Sequence, residues 1–133
     1  KMKKYCCIIQ TRLDASVKIT HHNGFTKKNK MIIYVDIDET ICEYNDEDRD
    51  YAKAIPIVEN ISKINKLFDE GHKIIYWTAR GSTTGIDWYE ITGEQLKQWG
   101  AKHHEYKVGK PHYDLFICDK AINSSNFFTS KES

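Results

Sequence analysis

A chain of 133 residues is long enough for one domain with a single core. Its net charge of +1 divides unevenly: residues 1–30 carry eight Lys or Arg against one Asp (+7), and residues 31–133 carry twelve against eighteen Asp or Glu (−6). The acidic body disfavours nucleic acid, whose binding leans on cationic contacts to phosphate, and no apolar run approaches the ~20 residues of a membrane span.

The lead, residues 1–30, reads as a basic segment, disordered or a remnant, with one short strand at Tyr5 to Ile9. Its cysteines Cys6 and Cys7 form no C-x-x-C pair with Cys42 and Cys118. Together with the absence of a charged-then-apolar leader, this points to reduced thiols and a cytoplasmic location. The folded unit is expected over residues 31–133. Met31 to Val35 is a strand, followed by a polar stretch from Glu43 to Lys53. A helix begins near Pro56, carries Ile57, Ile61, Ile64 and Leu67-Phe68 at helical spacing, and stops at Gly71. Lys73 to Trp77 is a second strand, Glu94 to Trp99 a short helix closed by Gly100, and Lys102 to Tyr106 a weaker strand. Leu115 to Cys118 reads as the last strand, ending at Asp119, with a short helix or turn after it. Apolar strands alternating with helices imply an α/β domain built on a parallel sheet.

The first strand runs directly into Asp36-Ile37-Asp38-Glu39-Thr40. Residues i and i+2 of an extended segment point to the same side, so Asp36 and Asp38 meet as like charges. Such a pair is tolerable around a cation, or when one member is protonated. In a doubly wound sheet, ligands gather at the carboxyl ends of the strands. Asp36 and Asp38, Thr78 and Arg80, and Asp119 each follow such an end, and Lys110 precedes the last strand. Together they supply a nucleophile, an acid/base, a hydroxyl, a cation for phosphate and a third carboxylate, a set suited to phosphoryl transfer through an aspartyl-phosphate. The pairs His21-His22 and His103-His104 diverge on helix or strand and read as surface histidines.

These motifs resemble the haloacid dehalogenase superfamily, and within it the magnesium-dependent phosphatases. The match runs from Met31 to about Phe128: D-x-D-x-T at Asp36-Ile37-Asp38-Glu39-Thr40, a strand-ending Thr78, Lys110, and Asp119 after a strand. The resemblance implies a three-layer Rossmann-like fold with a parallel sheet. It also implies Asp36 as nucleophile, Asp38 as acid/base, Thr78 and Lys110 binding the transferring phosphoryl oxygens, and Mg²⁺ at Asp36, Asp38 and Asp119. Many relatives have two adjacent acids at the last motif, where this chain has Cys118-Asp119. Neither interval between motifs has room for a cap domain. Residues 76–88, with Gly109-Lys110-Pro111 and Asp119 to Asn123, are similar to small capless phosphatases of capsule and lipopolysaccharide synthesis. A phosphosugar is then the expected substrate, with Arg80, Ser82, Thr83 and Trp88 as its binding loop and a homo-oligomer completing an open site. A nucleotide phosphatase and a non-catalytic binding module of the same fold are the alternatives.

Overall fold

The computed structural model describes residues 7–11, 30–45, 47 and 49–129, the first group as a strand of backbone; the pair His21-His22 lies outside the described residues. The elements run β1 (Cys7–Thr11), β2 (Ile32–Asp36), β3 (Cys42–Glu43), a 3-10 turn (Tyr51–Lys53), β4 (Ile55–Pro56) and α1 (Val58–Asp69). They continue with β5 (Lys73–Trp77), α2 (Tyr89–Gln98), β6 (Glu105–Lys107), β7 (Ala121–Asn123) and α3 (Ser124–Thr129). The main sheet has the order β6-β5-β2-β1-β7. Strands β6, β5 and β2 are parallel, and β1 is antiparallel to both neighbours, β2 and β7. The chain is therefore α/β, as its alternating pattern implies. Between β2 and β5 lie a short hairpin, the 3-10 turn and α1, and between β5 and β6 only loops and α2.

The core follows the periodicities. Ile33 and Val35 of β2 are in register with Ile74 and Tyr76 of β5, and all four are buried. They join Ile61, Ile64 and Leu67 of α1, Leu96 of α2 and Phe127 of α3 in one apolar cluster. Both long helices end alike. Gly71 N–H reaches Phe68 O and His72 N–H reaches Leu67 O; Gly100 N–H reaches Lys97 O and Ala101 N–H reaches Leu96 O. These are Schellman closures, which need a left-handed residue past the helix end. Gly71 (φ 102°) and Gly100 (φ 70°) supply it. Each closure turns the chain back to the sheet.

Three expectations change. Helix α2 begins at Tyr89 rather than Glu94, because Thr92 and Gln95 occupy buried positions and hide the apolar spacing. Four residues of the lead, Ile8 to Thr11, pair with Ile32 to Val35, so the boundary expected at residue 30 cuts through the sheet. Leu115 to Cys118 forms no strand; Leu115, Phe116 and Ile117 are exposed, Ile117 by 87%. A strand needs an open edge, and β2 already has β5 on one side and β1 on the other. The histidines at 103–104 also have partners: His104 Nδ1 accepts the Ile74 N–H at 3.1 Å and its ring stacks on Phe68, while His103 Nδ1 lies 2.8 Å from Ala101 O.

His72 is buried behind the start of β2 and its Nδ1 accepts the Met31 N–H at 3.1 Å. Burial, and then the charge of Lys30, lower its pKa below the ordinary histidine value. The unfolded chain therefore takes up the proton first. Stability is full above about pH 6.5 and falls as pH drops through that value toward the lower folded pKa. Denaturant midpoints should fall between pH 7 and pH 5, and less so in His72→Asn, which keeps an acceptor but does not titrate. An equal slope in both proteins counts against this assignment.

Candidate active site

Strand β2 ends at Asp36, and the chain turns sharply after it. Thr40 and Ile41 N–H groups both bond Ile37 O, and Glu39 N–H bonds Cys42 O. Ile37 is fully buried, which anchors the turn and aims the acids on either side of it toward the sheet edge. Glu39 takes φ 68° and Arg49 φ 52°, the only non-glycine residues in the left-handed region among those described. The two form an ion pair at 3.3 Å on the rim of a cleft of about 210 Å³. Strained backbone of this kind costs on the order of 1–3 kcal/mol and clusters at functional sites.

Each acid has its own cation. Lys110 Nζ lies 3.4 Å from Asp36 Oδ1, their side chains 5% and 11% exposed. Arg80 grips Asp38: Nε donates to Oδ1 and Oδ2 at 3.2 and 3.0 Å, and an Nη2 hydrogen to Oδ1 at 2.8 Å. Tyr44 O–H donates to Asp38 Oδ1, and Cys42 Sγ and Thr78 Oγ1 each lie 3.4 Å from its oxygens. Burial alone raises the Asp38 pKa; the hydrogen bonds and charge of Arg80, helped by Tyr44 and Cys42, outweigh it and hold the carboxyl below its usual value. Burial and the Asp38 charge push the Tyr44 phenol and the Cys42 thiol upward, so both stay protonated.

The expected residues divide on inspection. Asp36, Asp38 and Lys110 converge on the cleft, and Thr83 lines its wall. Thr78 is fully buried at the end of β5, its hydroxyl accepting the Arg80 N–H at 3.1 Å and facing Asp38, so it sits beneath the cleft. Arg80 borders the cleft but turns its guanidinium inward and is 2% exposed. Ser82 Oγ donates to Lys110 O at 2.6 Å and ties the two loops together. Trp88 packs edge-on against Tyr51 at 5.1 Å, behind the wall. Asp119 is 83% exposed, pairs with Lys120, and is not on the cleft. Its expected place depended on a strand at Leu115 to Cys118, and β1 holds the position beside β2. Glu39, Arg49, Tyr51, Thr84, His112 and Tyr113 also line the cleft, with Arg80 and its neighbours Ala79 and Gly81 and with Pro111. His112 and Tyr113 were reachable from the sequence as continuations of Lys110-Pro111; Arg49 and Tyr51 lie in a polar stretch with no periodic signal.

For a divalent cation, Asp36 and Asp38 bring hard oxygen donors to one edge, as Mg²⁺ requires. Both carboxylates are already matched to cations, and Asp119 does not join them, so the three-residue donor set does not assemble among the described residues. No family model and no curated protein matches this chain. A solved structure of an MCSG target from Vibrio cholerae is similar, with 27% identity and a TM-score of 0.63 over 74% of this chain and 87% of that one. The likeness supports the α/β fold, and that structure comes with no stated activity.

The Asp36–Lys110 pair is buried enough that removing one partner strands the other. Lys110→Met and Asp36→Asn should each destabilise by about 3–5 kcal/mol. The double variant should recover part of that loss. Additive losses in denaturant titrations would mean that the pair is not coupled.

Proposed function

We propose that this chain is a phosphoric monoester hydrolase of the haloacid dehalogenase type, with a capless three-layer Rossmann-like domain and an aspartyl-phosphate intermediate. The supporting observation is Asp36 at the carboxyl end of a parallel strand, opening on a cleft with the Lys110 ammonium beside its carboxylate. Asp36 attacks phosphorus, and the bond from phosphorus to the leaving oxygen breaks as the new one forms. Lys110 offsets charge on the phosphoryl oxygens, where positioning and electrostatics supply most of the acceleration. Asp38, held as a carboxylate, suits the second half, taking a proton from the water that attacks the phosphoryl-aspartate. In the first half the leaving oxygen takes its proton from Asp38 in the acid form, and the proton taken from water in the second half restores that form, so the cycle balances. Asp36 and Asp38 would hold Mg²⁺ in this proposal, and the ion would supply charge neutralisation there.

A phosphosugar of capsule or lipopolysaccharide synthesis remains the proposed substrate. Thr83, Thr84 and His112 offer hydrogen bonds to hydroxyls, and Tyr51 and Tyr113 offer ring surface to a sugar's C–H face. Hydrolysis of p-nitrophenyl phosphate with and without Mg²⁺ tests the class, and a panel of phosphosugars and nucleotides tests the substrate. Asp36→Asn should abolish turnover, and Asp38→Asn should slow it by ~10²–10⁴-fold, the range for a lost acid/base. Near-normal Mg²⁺-dependent turnover in Asp36→Asn rules out the covalent route.

A second copy of the chain is proposed as the missing wall. The exposed apolar residues Leu115 and Ile117 follow directly on Pro111 to Tyr113 of the cleft. Contiguous apolar patches beside a site mark contact surfaces, and closed homo-oligomers are the usual way of covering them. Light scattering should give a multiple of the chain mass, shifted toward one chain by Ile117→Lys. A single-chain mass at assay concentration, together with sharp discrimination among sugar phosphates, refutes this part.

A further inference from the structure

Arg80 is the most completely enclosed cation among the described residues, 2% exposed, and its contacts account for all five of its N–H groups. Nε and one edge of the guanidinium serve Asp38. The Nη2 group also lies 3.4 Å from Tyr44 Oη and 3.9 Å from Cys42 Sγ. On the other edge, Nη1 donates to Thr92 Oγ1 at 3.0 Å and to Gln95 Oε1 at 2.6 Å. One face of the group lies 5.0 Å from the centre of the Tyr51 ring. Its N–H groups are thus committed to protein partners, although the residue itself borders the cleft.

Thr92 and Gln95 stand one turn apart on α2, and both are buried. Burying polar side chains in a helix face is unfavourable unless they are bonded. Both turn their oxygens to Arg80, and Gln95 Nε2 donates to Tyr51 O at 2.7 Å. The inward face of α2 is thereby committed to holding one guanidinium. A lysine cannot take its place, since an ammonium has no planar fork to meet a carboxylate edge on one side and two helix side chains on the other.

We propose that Arg80 is a positioning residue: it fixes the Asp38 carboxylate in one orientation at the cleft, and Thr92 and Gln95 of α2 fix Arg80. The kinetic side of this proposal rests on the phosphatase reading above; the geometric side does not. Misplacing a reacting group by about 1 Å can cost ~10²-fold. Arg80→Lys, which keeps the charge and loses the fork, should lower kcat by about that factor. Thr92→Val, which loses a bond to Arg80 and none to Asp38, and Gln95→Leu, which also gives up the bond to Tyr51 O, should each lower kcat by about 10-fold, with KM within about 2-fold of the parent for Thr92→Val. Methylguanidinium should restore part of the kcat of Arg80→Ala, saturably, and methylammonium should not. A residue that only packs the core would show neither the kcat–KM split nor rescue that depends on the fork.

A signature independent of activity completes the test. The Arg80 Nε–H resonance should be shifted and slow to exchange with water, and should move on Asp38→Asn. If that resonance exchanges rapidly and ignores Asp38→Asn, the clamp is refuted whether or not the protein hydrolyses phosphate esters. If it behaves as expected while no phosphate ester is turned over, the clamp stands and the phosphatase reading fails. Should Arg80→Lys not fold by circular dichroism, Gln95→Leu and Thr92→Val decide the kinetic side. Parent-like kcat in both, or in a folded Arg80→Lys, overturns it.

Discussion

Two carboxylates one residue apart at the end of a half-buried strand repel each other, and the molecule is arranged around neutralising them. Unit charges about 4 Å apart interact by roughly 4 kcal/mol at the effective dielectric near a protein surface. Each acid therefore needs a partner at hydrogen-bonding range, and each has a separate one: Lys110 for Asp36 and Arg80 for Asp38. The two cations come from different loops, after β5 and after β6. The strand carrying the acids lies beside β5 in the parallel part of the sheet, so these loops meet at its carboxyl edge.

The environments of the two acids also differ. Asp36 faces the cleft, with an ammonium beside it that has no fixed fork. Asp38 borders the same cleft but is held by a guanidinium, a phenol and a thiol, with Thr78 alongside. One carboxylate is thus placed to meet a ligand and the other is immobilised. Separate environments for neighbouring titratable groups are how one site assigns them separate jobs. The rim shows the same economy: Glu39 and Arg49, both in strained backbone, pair with each other across the cleft mouth.

Several features were legible in the residues because they depend on local physics. The strand before Asp36, the helix over Ile61, Ile64 and Leu67, the strand 73–77 and the glycine stops at Gly71 and Gly100 follow from period, propensity and backbone freedom. The placement of Asp36 and Asp38 followed from the rule about strand ends; Lys110, expected as the residue before a strand at Leu115, reaches the cleft from the loop after β6 instead. Arg80 was read as part of a substrate loop, whereas its guanidinium is bonded to Asp38, Thr92 and Gln95. Its partners Thr92 and Gln95 are polar, and in sequence a polar residue on a helix reads as solvent-facing.

The chain by itself thus determined an α/β domain, its main strands and helices, and a pair of acids at a strand end. These are consequences of side-chain spacing and of charges that cannot be buried alone. Only the tertiary structure decided which segment lies beside β2. Cys7–Thr11 and Leu115 to Cys118 are both short apolar runs of strand character, and nothing local ranks them. Strand pairing is a competition settled across the whole sheet, and its outcome puts Cys7–Thr11 in the sheet and leaves Asp119 in solvent. The inward turn of Arg80 was decided in the same way, by acceptors brought from β2 and α2 to one point that no spacing along the chain encodes.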